Sequence, residues 1–188
     1  MRKTFNLGLL AVGMFAAGHL GAGPLRAQET GAVVELDGLS SRAPAGWKQE
    51  QPKSQMRLTQ FKLPKAEGDP ADAELVVFYF RGGSGTVEQN LKRQEAKFEP
   101  ADGKKLDVKV EKIKVGPHEA TYQDIKGTYL EKFPPFAPNA KITRRENYRQ
   151  LYVVFTGKKG EYYLTLLGPA KTVEKHKGEF ENWLKNFK

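Results

Sequence analysis

Two short stretches hold side chains whose types and spacing could bind an anion. The first is "RGGSG" (Arg81 to Gly85), where an apolar strand runs into a glycine-rich turn that opens a helix. Arg81 supplies a charge and Gly83, Ser84 and Gly85 a permissive backbone, so the segment is a candidate anion loop. It departs from both phosphate-loop patterns. "GGSGTVEQ" lacks the lysine after the last glycine, and the four-residue spacing, with which a Walker loop reaches the β- and γ-phosphates. The dinucleotide pattern wants a third glycine where Glu88 stands, and an acid there suits the helix dipole while repelling a pyrophosphate. The simpler reading is that these glycines let the chain reverse with positive φ. The second stretch is "KITRRENYRQLYVVF", with Arg144, Arg145, Tyr148, Arg149 and Tyr152. Arginine forks hold anions and tyrosines stack, so these five residues are a candidate patch for an anionic ligand or partner. They fit equally a loop entering a strand, with the tyrosines in a sheet and the arginines solvated. Lys158 and Lys159 in "TGKKG" add charge nearby in sequence.

Other chemistries find less. The chain has no cysteine, which excludes disulfides, thiolate metal sites, a cysteine nucleophile and a lipoprotein anchor. Ser40, Ser41, Ser54 and Ser84 are the only serines, and none sits in a G-x-S-x-G elbow. His118, Glu119 and Asp124 could offer metal ligands, yet no H-x-x-x-H spacing supports them, and His176 falls on an apolar helix stripe. Paired carboxylates for glycoside chemistry are open among 22 acids, with no pair favoured. No catalytic residue, cofactor or metal is therefore assigned. No RNP-type motif points to nucleic acid.

The N-terminus sets the compartment. "MRKTFN" is basic, "LGLLAVGMFAAG" is a short apolar run, and "HLGAGPLRAQ" exits through small residues. That is a secretory signal, with cleavage expected after Ala27, or after Ala22 or Gly23. An uncleaved anchor is the alternative, although the apolar part falls short of the ~20 residues a span needs. No later segment could cross a bilayer as a helix. Residues 28–188 would then form one domain, exported to a periplasm or the exterior. The formal charge of +9 includes Arg2, Lys3 and Arg26 of the signal; the remainder has 28 basic and 22 acidic residues, or +6. Most of these charges interleave, as in "KKLDVKVEKIK", which is how a solvated strand face reads.

The elements that must position these residues are mostly strands. A short strand is predicted near Ala32–Leu36, a mixed-polarity one over Met56–Pro64 near an edge, and an apolar one at "AELVVFYF", covered on both faces. Thr86 reads as an N-cap with Gln89 completing a capping box. Val87, Leu91, Gln94 and Phe98 would form the inward stripe of the helix that follows. "KKLDVKVEKIKVG" changes phase between Val110 and Ile113, which predicts a bulge near Glu111–Lys112. "FPPFAPNAKITRREN" reads as a proline-rich surface loop. "NYRQLYVVF" and "EYYLTLLG" form a hairpin around "TGKKG". A last helix opens with Pro169 in its first turn and carries Val173, His176, Phe180, Trp183, Leu184 and Phe187 on one stripe. The class is α+β: a twisted, mainly antiparallel sheet with helices packed on it, preferably as three α/β/α layers.

"APAGWKQEQP", "MRLTQFKLP" and "GPAKTVEKHKGEFENWLKNF" resemble the PsbP-like (Mog-like) α/β/α sandwich superfamily, with its P-x-G-W turn and its F-x-x-W-L-x-x-F last helix. The stretches "DAELVVFYF", "GTVEQNLKR" and "GPAKTV" look closest to uncharacterised exported bacterial proteins. The resemblance covers residues 33 to 188 and its motifs are architectural. It implies a non-enzymatic accessory or binding domain in the bacterial envelope, with a protein or anionic envelope component as partner. The chain lacks a recognisable partner-binding segment of PsbP itself, so no specific partner is implied. The alternative is an envelope hydrolase acting on a polysaccharide or another anionic substrate.

Overall fold

The computed structural model describes residues 31–100, 104–135 and 137–188; the expected signal lies outside them. In chain order the elements are β1 (Val33–Leu36), β2 (Leu39–Arg42), β3 (Lys48–Glu50), β4 (Arg57–Leu63), β5 (Ala73–Phe80) and α1 (Val87–Glu95). Then come β6 (Phe98–Glu99), β7 (Asp107–Val115), β8 (His118–Phe133), β9 (Lys141–Thr156), β10 (Glu161–Pro169) and α2 (Ala170–Lys185). Eight strands make one antiparallel sheet in the order β3-β4-β5-β10-β9-β8-β6, with β7 also on the outer edge of β8.

Alternation along the strands sends two different sets of side chains to the two faces. On one face Leu75, Val77, Leu151, Val153, Leu164 and Leu166 form a dry core. α2 covers it with Val173, Phe180, Trp183 and Leu184. Trp183 meets Trp47 of the "APAGW" turn edge-on at 5.6 Å and Phe187 at 5.1 Å. The His176 ring lies 2.9 Å from both the Pro64 carbonyl and the Glu179 carboxylate, tying α2 to the end of β4. Pro169 is the N-cap of α2 rather than a residue of its first turn, and it offers no side-chain cap. Asp69 from the loop between β4 and β5 does so instead, accepting from the Thr172 N–H (2.8 Å) and hydroxyl (2.6 Å). The β1–β2 hairpin lies in the same layer, burying Val34 and Leu36.

The opposite face is wetter. α1 starts with the expected Thr86–Gln89 capping box, but the side chains it buries are Asn90 and Gln94, with Leu91 half-buried on Tyr152, Val154 and Tyr163. Val87 is exposed, and Phe98 lies beyond the helix in β6. Of the expected stripe Leu91 and Gln94 do turn inward, whereas Val87 does not and Asn90 is buried instead, because the sheet beneath mixes aromatic and amide side chains. Gln94 accepts from Gln150, and Gln123 donates to Glu95. β5 buries one face in the core, while Phe78 and Phe80 on the other remain half-exposed, the former beneath Arg57. Helices on both faces make the three-layer arrangement.

Two expectations about strands change. β7 pairs with β8 without interruption from Asp107 to Val115, so there is no bulge at Glu111–Lys112. Being an edge strand, it places Ile113 and Val115 towards the α2 face and Val108 and Val110 towards the α1 face. Its phase change is a change of buried side, not of register. The proline-rich excursion is also shorter than expected: Lys141 to Asn147 already belong to β9.

Removing residues 170–188, which include α2, should abolish cooperative urea unfolding, and Trp183→Ala should lower stability by about 3–5 kcal/mol. A Trp183→Ala midpoint equal to wild type would show that the α2 layer does not close the core.

Candidate functional site

The five residues of the basic-aromatic segment all lie on β9, and the structure does not bring them together. Arg149 is buried at 4% exposure. It grips Asp124 with two guanidinium nitrogens (Nε–Oδ1 2.8 Å, Nη2–Oδ2 2.5 Å) and reaches Glu174 of α2. Burial disfavours its charge, but these carboxylates outweigh that and hold the guanidinium above its ordinary range. It is a bolt between sheet and helix. Tyr152 is buried on the opposite face, stacked on Tyr163. Neither residue can face a ligand. Alternation is the reason: neighbouring residues of a strand point apart.

Arg144, Arg145 and Tyr148 stay at the surface, where the β8–β9 ribbon bends. Gly127 pairs with Tyr148, but Tyr129 pairs with Arg145. Glu146 and Asn147 thus stand opposite Thr128 alone, and Asn147 takes φ 55. β6 presses on the bend: a Cβ at Gly127 would strike the Glu99 carbonyl oxygen. Only glycine allows that approach.

On the α2 side of this bend lies a cleft of about 390 Å³. Lys104, Lys105, Lys126 and Arg144 line it together with Asp107, Glu146, Thr128 and Tyr148. Four cations therefore meet two acids. Lys126 is only loosely engaged, 3.9 Å from Asp107, while Arg144 pairs with Glu99. The Ala170 end of α2 forms one wall, although the Thr172 N–H is already taken by Asp69. A smaller groove of about 210 Å³ on the α1 side has the opposite character, with Asp72, Glu74 and Glu131 against Arg145. Tyr148 borders both and stacks on Tyr129 at 6.1 Å. Its phenol is pushed up by burial despite Arg145 beside it, so it remains a neutral donor at neutral pH. The arrangement can hold one or two anionic groups by charge and hydrogen bonding.

No protein-family model and no curated protein matches the sequence. Two solved structures are similar to it in part. One is the solution structure of cyanobacterial PsbP from Synechocystis, at 16% identity and a TM-score of 0.47, covering 91% of this chain and 99% of that one. Another is a protein of unknown function from Pseudomonas aeruginosa, suggested to be a regulator. It shares 15% identity at a TM-score of 0.45, over 82% of this chain and 93% of that one. The α+β class itself stands on the sheet order and the helices on both faces.

The "RGGSG" loop already holds a carboxylate of its own. Glu161 accepts from the Ser84 N–H (3.2 Å), and a Cβ at Gly83 would lie 3.5 Å from it. The Ser84 hydroxyl bonds to Tyr163 (2.7 Å), and Arg93 caps the Ser84 carbonyl. Gly85 has φ +101, as a reversal requires. Arg81 is exposed beside this closed network. An external phosphate would have to displace Glu161.

His118 and Asp124 do not converge. Asp124 belongs to Arg149, and among the described residues no group of three or more histidines and acids could hold a metal. His118 instead stacks on Phe155 (5.4 Å) and lies 3.2 Å from Asp37. The Asp37 side chain is 1% exposed and accepts the N–H groups of Lys158 (2.8 Å) and Lys159 (3.0 Å). These lysines sit at the far end of β9 from the cleft, so their backbone matters more than their charge. Burial raises the Asp37 carboxyl, but the two N–H groups and His118 pull it further down, below its ordinary 3.8. The "DG" of Asp37-Gly38, a hairpin-turn signal, is the sequence cue for this junction.

A depressed folded-state pKa stabilises the fold above the unfolded value, and that stability disappears as pH falls through the folded value. The stability gap between wild type and Asp37→Asn should therefore be full above about pH 5. It should close on acidification below the ordinary 3.8. Urea titrations at several pH values check this; a gap that stays constant or widens in acid contradicts it.

Proposed function

We infer that the chain is an exported, non-enzymatic binding domain whose cleft at the ribbon bend receives an anionic group of an envelope component. The observation that carries this is the convergence of Lys104, Lys105, Lys126 and Arg144 in one cleft, drawn from three separate segments of chain. Such a cluster raises the local concentration of anions at the cleft. Its lysines are exposed, so binding is sensitive to salt. The basic, apolar and small-residue order of the N-terminus supports export. No described helix is long and apolar enough to cross a membrane. The hydrolase reading has no comparable support, since Asp124, the buried acid of the sheet, is committed to Arg149.

Calorimetry with inorganic pyrophosphate, and with heparin as a model polyanion, should detect binding at low salt that weakens as salt rises. The Lys105→Glu/Lys126→Glu variant should bind about tenfold more weakly or worse. Its unfolding midpoint without ligand should match wild type, because both side chains are exposed. Unchanged affinity in that variant would refute the cleft as the site.

A further inference from the structure

We propose that the free end of the β8–β9 ribbon inserts into a bilayer carrying anionic headgroups, an inference that rests on the anion reading of the cleft and gives that anion a source. The Leu130 N–H is still held by the Lys97 carbonyl (2.8 Å), but beyond it, among the described residues, β8 and β9 pair only with each other. Phe133 at this end is 72% exposed and Ile142 50%. From Phe133 to Ala140 the sequence "FPPFAPNA" carries no charge, and Lys132 and Lys141 bracket it.

Three features select a bilayer over a protein groove. First, Phe133 pairs with Lys141 and Ile142 with Lys132, so the two apolar side chains point to opposite sides of the ribbon. A groove covers one side of a ribbon, whereas a lipid phase surrounds its end. Second, each apolar residue faces a lysine directly across the ladder. A lysine stem can lie in the apolar layer while its ammonium reaches the headgroups. Third, Pro134, Pro135 and Pro138 have no N–H, which reduces the donors that would enter lipid unsatisfied.

The spacing of charge agrees. Arg144 and Arg145 follow Ile142 by two and three residues, hence about 7–10 Å behind the Ile142 level of the ribbon at ~3.3 Å per residue. That matches the depth of about 5–10 Å to which interfacial segments sink. An inserted tip therefore sets both arginines, and the cleft behind them, at the level of lipid phosphates. Glu131 is neutralised there by Arg145 (2.8 Å).

The test uses the full chain carrying Phe133→Trp. Trp47 and Trp183 are buried, so the change in emission reports the tip. The probes are vesicles of phosphatidylcholine alone and of phosphatidylcholine with phosphatidylglycerol in equal parts, each with and without brominated acyl chains. With anionic vesicles the introduced indole should shift to the blue and be quenched by the brominated lipid; with neutral vesicles both effects should be at least several-fold smaller. Adding Ile142→Asp should reduce the quenching by about tenfold or more while leaving pyrophosphate binding unchanged. An indole that stays solvent-like and unquenched with anionic vesicles overturns the insertion, and retained pyrophosphate binding would then leave the cleft reading standing with a soluble or protein-borne anion. Quenching that persists in Lys105→Glu/Lys126→Glu, with pyrophosphate binding also unaffected, overturns the cleft reading and leaves the tip as the membrane contact. Equal quenching by neutral and anionic vesicles overturns the requirement for anionic headgroups.

Discussion

β8 and β9 run for sixteen residues each, whereas β7 and β10 beside them run for nine. A hydrogen-bonded ribbon longer than its neighbours must leave the sheet, and this one leaves with a bend. The bend depends on three local facts: Gly127 admits the Glu99 carbonyl, Asn147 adopts a positive φ, and β9 supplies one residue more than β8 between the flanking pairs. The shallow basic cleft is the space this bend opens against α2 and the start of β7. Beyond it, among the described residues, the ribbon pairs with no third strand.

The two faces of the sheet divide the work. The α2 face is built from aliphatic side chains and the Trp47–Trp183–Phe187 cluster, and it carries most of the apolar burial. The α1 face is joined through amides and hydroxyls, among them Gln94, Gln123, Gln150 and Tyr163. Those groups give less net stabilisation each, since their bonds replace bonds to water. Charge is divided too. At the bend the α2 side gathers lysines and the α1 side gathers Asp72, Glu74 and Glu131. An approaching anion would thus meet an attractive side and a repulsive one.

What could be read in the sequence follows from the range of the interactions. Local signals were legible: the Thr86–Gln89 capping box, the α2 stripe ending in Trp183 and Phe187, and the hairpin at "TGKKG" all depend on residues a few positions apart. The stripe of α1 was legible in part: Gln94 is buried as expected, against Gln150 of a distant strand, whereas Asn90 is buried where the pattern puts Val87, held by Ser84 and the Thr86 carbonyl. The β7 bulge failed for a related reason, as an edge strand can change its buried side without changing register. The candidate patch was half legible. Arg144 and Arg145 are exposed and Tyr148 half-buried at the bend, yet Arg149, four positions after Arg145, is a core residue, which Asp124 on the neighbouring strand and Glu174 on α2 explain. Lys104, Lys105 and Lys126 join Arg144 through pairings across the chain that no local pattern encodes.

The most direct measurement is an amide NMR titration of the chain with pyrophosphate at low salt. Binding at the bend predicts saturating shifts at residues 104–107, 126–128, 144–148 and Ala170, with little change at Ser84 to Gln89. Shifts centred on Ser84 to Gln89 would return the anion to the glycine loop. Shifts scattered over every exposed lysine without saturation would mean that the cleft binds nothing specifically.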